Sequence, residues 1–167
     1  MSKKEVFTAA IKKNEGILFK IAAVYTNSIE DKQDLIQEII YQLWKSYGSF
    51  NQQSRFSTWM YRVALNVAIY QLKVSKKKIL TVPIEDQNYN YQEDDNSAIE
   101  EKWKLFRKQI DGLNLLDKAI VTLYLDDKSY DEIAEVIGIS SSNVGTKLSR
   151  IKEKLKSQIF KQQKSWN

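Results

Sequence analysis

The chain has 167 residues, 43% of them hydrophobic and 28% charged, with 26 Lys/Arg against 21 Asp/Glu. That balance fits one ordinary globular domain or two small ones and excludes a disordered chain. It has no Cys and no His, which excludes disulfides and thiolate metal sites and removes the usual zinc ligand, general base and neutral-pH switch.

One Pro and five Gly are too few turn formers for many short strands, so the expected fold class is all-α. No apolar run approaches the roughly 20 residues of a membrane span. The first ten residues, MSKKEVFTAA, lack the apolar centre of a signal peptide. No metal, no cofactor and no converging catalytic set is expected, so an enzyme ranks last among the functions considered.

The first helical stretch is expected over residues 5–25, with Phe7, Ile11, Leu18, Ile21 and Ala22 at helical spacing. Residues 30–46 follow, with Leu35, Ile36, Ile39, Ile40, Leu43 and Trp44 forming one wide apolar face. Its polar face carries Asp31, Asp34, Gln37, Glu38 and Gln42. Asp34, Gln37 and Glu38 fall within one turn and form one patch. Such a patch repels DNA and suits a basic protein partner, unless it is simply a solvated face.

A third helix is expected over residues 56–74, with Phe56, Trp59, Met60, Val63, Val67 and Leu72 inward and Ser54 or Ser57 as its cap. Tyr61, Arg62, Asn66 and Tyr70 fall toward the other side. The surrounding stretch 47–73 mixes aromatics with Arg55, Arg62 and Lys73, as single-strand-binding surfaces do. Core packing explains aromatics there equally well.

Residues 77–98 break the pattern. They hold the only Pro and several Asn, with five acids and no base over 85–98, and are expected to be a flexible acidic linker. Its part Ile79 to Ile84 is apolar enough to dock on a partner. The linker divides the chain into a first domain, 1–76, and a second, 99–167. Residues 1–84 carry 13 Lys/Arg and 6 Asp/Glu; residues 141–167 carry seven and one. Two basic blocks around an acidic stretch point to nucleic acid or to solvated basic surfaces.

In the second domain a helix is expected over residues 98–111, with Ile99, Trp103, Phe106 and Ile110 on one face. Asn114 is expected to cap the next, with Leu116, Ile120, Leu123 and Tyr124 inward. Ser129 and Glu132 have capping-box spacing before Ile133, Ala134 and Ile137. Gly138 suits a left-handed helix end, and Ser140 caps a last helix through Val144, Leu148, Ile151, Leu155 and Ile159.

Helix, glycine turn and helix over 129–156 is the layout of a helix-turn-helix. The last helix carries Asn143, Lys147, Arg150 and Lys154 one position ahead of its apolar stripe, with Ser142, Thr146 and Ser149 beside them. These groups read base edges and phosphates, and the helix N-terminus at Ser141 to Asn143 offers N–H groups to a phosphate. An amphipathic hairpin with a basic face is the plainer alternative. Gly145 inside this helix costs about 1 kcal/mol relative to Ala. It reflects either close approach to DNA or the preceding helix, or simple tolerance.

Three motifs then fall in a familiar order. Asp31-x-x-Asp34-Leu35-x-Gln37-Glu38, with Leu43-Trp44, resembles the core-polymerase-binding helix of bacterial sigma factors. Residues 56–66, FSTWMYRVALN, resemble their promoter-melting and −10 helix. Tyr130 to Ala134, Gly138 and Asn143 to Arg150 resemble their −35 helix-turn-helix. The resemblance spans about residues 5–157, and the two-domain layout is similar to the extracytoplasmic-function (ECF) group of the sigma-70 family, which keeps only the second and fourth sigma domains.

The resemblance implies a non-enzymatic transcription initiation factor. It would bind core RNA polymerase, direct it to promoters and help open the duplex. Asp34, Gln37, Glu38, Leu43 and Trp44 would meet the polymerase. Arg55, Tyr61, Arg62, Asn66 and Lys73 would serve −10 recognition and melting. Ser142, Asn143, Thr146, Lys147, Arg150 and Lys154 would meet the −35 element. It also implies a cytoplasmic protein, monomeric when free, held by an anti-sigma partner that can tether it to the membrane. No small-molecule substrate and no added C-terminal sensor domain are expected. Leu65 departs from the family's usual basic residue before the Asn, and Gly145 from a common Lys. A stand-alone helix-turn-helix regulator needs only residues 99–160 and leaves the acidic patch unexplained. A purely protein-binding helical adaptor would have no DNA affinity.

Overall fold

The computed structural model describes the backbone of residues 1–79 and 107–165 and the side chains of residues 1–74 and 107–158. These residues are helical with no strand among them. The chain divides into two units, Met1–Tyr89 and Asn90–Asn167. The expected linker from residue 80 onward, and Ile99, Trp103 and Phe106, lie outside the described residues, as does the side chain of Ile159.

Unit 1 contains α1 (Lys3–Lys13), α2 (Glu15–Tyr25), α3 (Ile29–Ser46), a short 3-10 turn (Tyr47–Ser49) and α4 (Phe56–Ile79). The expected single helix over 5–25 is two. Asn14 leaves the helical region (φ −115°, ψ 17°), and its side-chain amide donates to the Ala10 carbonyl at 2.9 Å. An Asn that offers the backbone this local alternative interrupts a helix without Pro or Gly. Ser28 caps α3, its Oγ accepting the Asp31 N–H at 3.0 Å.

α2, α3 and α4 pack pairwise around one core. It is formed by Leu18, Ile21 and Ala22 of α2, Leu35, Ile39 and Leu43 of α3, and Met60, Tyr61, Ala64, Leu65 and Ala68 of α4, with Phe7 of α1. The inner face of α4 therefore differs from the one expected. Of the expected stripe only Met60 is fully buried; Phe56, Trp59, Val63, Val67 and Leu72 are half-buried. Small alanines at 64 and 68 let the backbones approach, and the large ring of Tyr61 fills the space between helices. α4 also runs through Ile79, past the expected linker boundary at 77. Its first helical bond joins the Trp59 N–H to the Arg55 carbonyl at 3.1 Å, so Arg55 and neither Ser54 nor Ser57 stands at the cap.

Unit 2 contains helical residues 107–111 (α5), α6 (Leu115–Leu125), α7 (Tyr130–Ile137) and α8 (Ser141–Ser165). The expected caps form. Asn114 Oδ1 accepts the Asp117 N–H at 2.8 Å, Ser129 Oγ the Glu132 N–H at 3.1 Å, and Ser140 Oγ the Asn143 N–H at 3.1 Å. Gly138 closes α7 at φ +85°, and its N–H and that of Ile139 both donate to the Ala134 carbonyl. The core comprises Ile110, Ala119, Ile120, Leu123, Ile133, Val136, Val144, Leu148 and Ile151. Leu116 and Tyr124, expected inward, are partly exposed at 36% and 37%. Val136 is buried, while Ala134 and Ile137, expected to carry the packing with Ile133, are half-buried. Lys118 is buried too, with its Nζ 3.0 Å from Asp111 Oδ1, which pins α6 to α5. Among the described residues no helix is long and apolar enough to cross a membrane.

Candidate protein and nucleic-acid interfaces

The cap at Ser28 and the buried stripe Leu35, Ile39 and Leu43 set the rotation of α3. That rotation leaves Asp31, Asp34 and Gln37 exposed and Glu38 half-buried. Gln42 Nε2 donates to Glu38 Oε1 at 3.0 Å and orients that carboxylate. Tyr41, 56% exposed, lies at steps of four and three from Gln37 and Glu38. Sequence reasoning missed it, although the spacing 34, 37, 38, 41 was its signal. Leu43 is corrected: it has no exposed surface and belongs to the core, because it continues the Leu35–Ile39 stripe. Trp44 is 39% exposed at the edge of a ring cluster. Its ring meets Phe7 edge-on at 5.0 Å and stacks with Tyr47 at 6.5 Å, and Lys3 Nζ lies 5.4 Å from its centroid. The cluster continues from Tyr47 to Trp59, and from Trp59 to Phe50 and Phe56. Residues 44–59 are therefore held together by rings, which the aromatic density in the sequence foreshadows.

The outer face of α4 is a second surface. Arg62, Asn66, Tyr70 and Lys73, at steps of four, four and three, are all exposed, Tyr70 by 68%. One stripe thus presents a guanidinium, an amide, a phenol and an ammonium. Arg55 is exposed at the entry to the helix. Tyr61 is corrected. It has no exposed surface, because its position faces α2 and α3 rather than solvent.

In unit 2, burial of Val144, Leu148 and Ile151 turns the other side of α8 outward. Ser142, Asn143, Thr146 and Arg150 are exposed and Lys147 is half-buried. Lys154 is exposed, and its Nζ donates to the Gly112 carbonyl at 3.2 Å, tying α8 to the turn before α6. Lys152 lies over the Tyr124 ring, 4.5 Å from its centroid and 3.1 Å from the hydroxyl oxygen. Its hydrogen bond to that hydroxyl holds the ammonium above the ordinary lysine range.

At Gly145, an added Cβ would lie 3.5 Å from the Tyr130 ring, an ordinary contact. The preceding helix therefore leaves room for a methyl group. Gly145→Ala is expected to stabilise the protein by about 0.5–1 kcal/mol, the helix-interior difference between the two residues. A rise in the urea-unfolding midpoint checks this; a fall would mean that the helix cannot accept the methyl group.

Residues 10–78 match the family Sigma-70 region 2, and residues 103–155 match Sigma-70, region 4. The RNA polymerase sigma factor YlaC of Bacillus subtilis is 30% identical over 148 residues, 81% of this chain and 82% of that protein. The ECF RNA polymerase sigma factor SigW of the same organism is 25% identical over 156 residues, 85% of this chain and 82% of that one. The sigma factor RpoE of Bartonella quintana, solved with the anti-sigma factor NepR, has a similar fold. Its TM-score is 0.72 at 18% identity, covering 93% of this chain and 97% of that one. The chain belongs to the ECF group of the sigma-70 family, as a non-enzymatic transcription initiation factor that binds core RNA polymerase and promoter DNA.

Proposed function

We propose that the three exposed surfaces divide the work of initiation. Asp34, Gln37 and Glu38, with Tyr41 as an aromatic anchor, meet a basic surface of core polymerase. Arg55, Arg62, Asn66, Tyr70 and Lys73 hold the −10 region and assist duplex opening. Ser142, Asn143, Thr146, Lys147 and Arg150 meet the −35 element. An anti-sigma protein, like the one bound to the Bartonella relative, holds the free, monomeric chain in the cytoplasm.

One observation carries this division. Within unit 1, an acidic and amide-bearing stripe on α3 and a cationic stripe on α4 are both exposed over one shared core. The cationic stripe suits a nucleic acid. The acidic stripe would be repelled by it and needs a basic protein partner. A regulator that bound only DNA would have no use for the acidic stripe on α3.

Transcription in vitro tests the reading, with core RNA polymerase and fragments of the source genome. Transcripts with discrete starts that depend on this protein are expected. Arg62→Ala should lower open-complex formation, read by permanganate reactivity, more than it lowers promoter binding. Unchanged opening in that variant would remove Arg62 from the role.

A further inference from the structure

The first turn of α7 meets the first turn of α8 at the surface. The Ser141 hydroxyl donates to Asp131 Oδ1, and the Tyr130 ring faces Gly145 across a gap that admits a methyl group. Ser141 and Gly145 are four residues apart, so adjacent residues of α7 face both ends of one helical turn. The exposed Ser142, Asn143 and Thr146 lie in or directly beside it.

Among the described residues the Asp131 side chain makes no other hydrogen bond or ion pair. The capping box of α7 uses its neighbour: Glu132 gives its N–H to Ser129 Oγ and accepts from that hydroxyl at 3.3 Å. The Glu132 carboxylate also lies 3.9 Å from Lys128 Nζ. The backbone cap of α8 is supplied by Ser140. The Asp131–Ser141 bond therefore adds nothing to either helix taken alone. It joins the two helices at the surface, outside the core in which Ile133 and Val136 of α7 and Val144, Leu148 and Ile151 of α8 are buried. A carboxylate acceptor makes a stronger bond than a neutral one.

From this we infer that Asp131 is a positioning residue for promoter recognition, acting through Ser141 to hold the first turn of α8 at one angle to the DNA. Base-edge hydrogen bonds need the side chain and the base within a narrow distance and angle, whereas phosphate contacts tolerate small rotations. Loosening the turn should thus erode discrimination between sequences more than total affinity. The inference rests on α8 as the −35-binding helix.

The test uses holoenzyme formed with the full-length protein. A promoter fragment that it transcribes is compared with the same fragment carrying a scrambled −35 element. The readout is the ratio of the two affinities. Asp131→Ala and Ser141→Ala should each lower that ratio about fivefold, the scale of one hydrogen bond. The double variant should lower it no further, since both substitutions remove one bond. Asp131→Asn keeps an acceptor for the Ser141 hydroxyl and should retain most of the discrimination. Thermal midpoints follow folding in parallel, because a merely structural role would move the midpoint and not the ratio. A wild-type ratio in Asp131→Ala, or an equal loss in Asp131→Asn, would overturn the inference. Absence of discrimination by the wild-type holoenzyme would instead overturn the assignment of α8 to the −35 element, and the inference with it.

Discussion

Asp34→Arg combined with Glu38→Arg should abolish binding to core RNA polymerase while leaving the protein folded. Asp34 is exposed and Glu38 half-buried, and neither packs in the core. The two side chains stand four residues apart on α3, so two like charges replace two like charges, and the intrahelical repulsion stays about the same. Loss of the Gln42–Glu38 hydrogen bond costs about 1.5 kcal/mol, which a domain held by roughly 5–15 kcal/mol tolerates. The interface suffers far more. Removing one partner of a buried charge pair costs about 2–5 kcal/mol, and reversal adds repulsion. Core affinity should therefore fall by more than about a hundredfold. Competition binding against the wild-type protein measures this, with circular dichroism as the folding control. Near-normal affinity in a folded double variant would remove the α3 patch from the polymerase interface.

Tyr61→Ala should have the largest effect on stability. Its ring is fully buried between α4 and its neighbours. Truncating a buried aromatic side chain costs about 3–5 kcal/mol, a large share of the roughly 5–15 kcal/mol that holds a domain together. Tyr61→Phe keeps the ring and should cost only about 1 kcal/mol. Urea unfolding followed by far-ultraviolet circular dichroism separates the two. A Tyr61→Ala protein with the wild-type midpoint and a defect only in promoter opening would return Tyr61 to the DNA-facing surface.

The two predictions draw on different kinds of information. The α3 patch is legible in the sequence because both faces of that helix are written in one period. Leu35, Ile39 and Leu43 recur on one side, and Asp34, Gln37 and Glu38 on the other. α8 is legible for the same reason. Tyr61 is different. In α4, aromatic and aliphatic residues occur nearly all round the helix, so periodicity does not single out a face. The inner face is chosen by what packs on it. Ala64 and Ala68 admit α2 and α3 closely, while Phe56 and Trp59 are drawn into the ring cluster with Phe50 and Tyr47.

Sequence alone determined the all-helical class, the caps at Asn114, Ser129 and Ser140, the left-handed end at Gly138, and the polar faces of α3 and α8. These depend on interactions within about four residues, where the local order of side chains is sufficient. Tertiary structure alone decided that Tyr61 is core. It also decided that Lys154 reaches Gly112 and that Asp131 reaches Ser141. Most of these depend on partners far along the chain or on which of several apolar faces is covered. Burial and contact between helices are properties of the packed whole, and no helical period carries them.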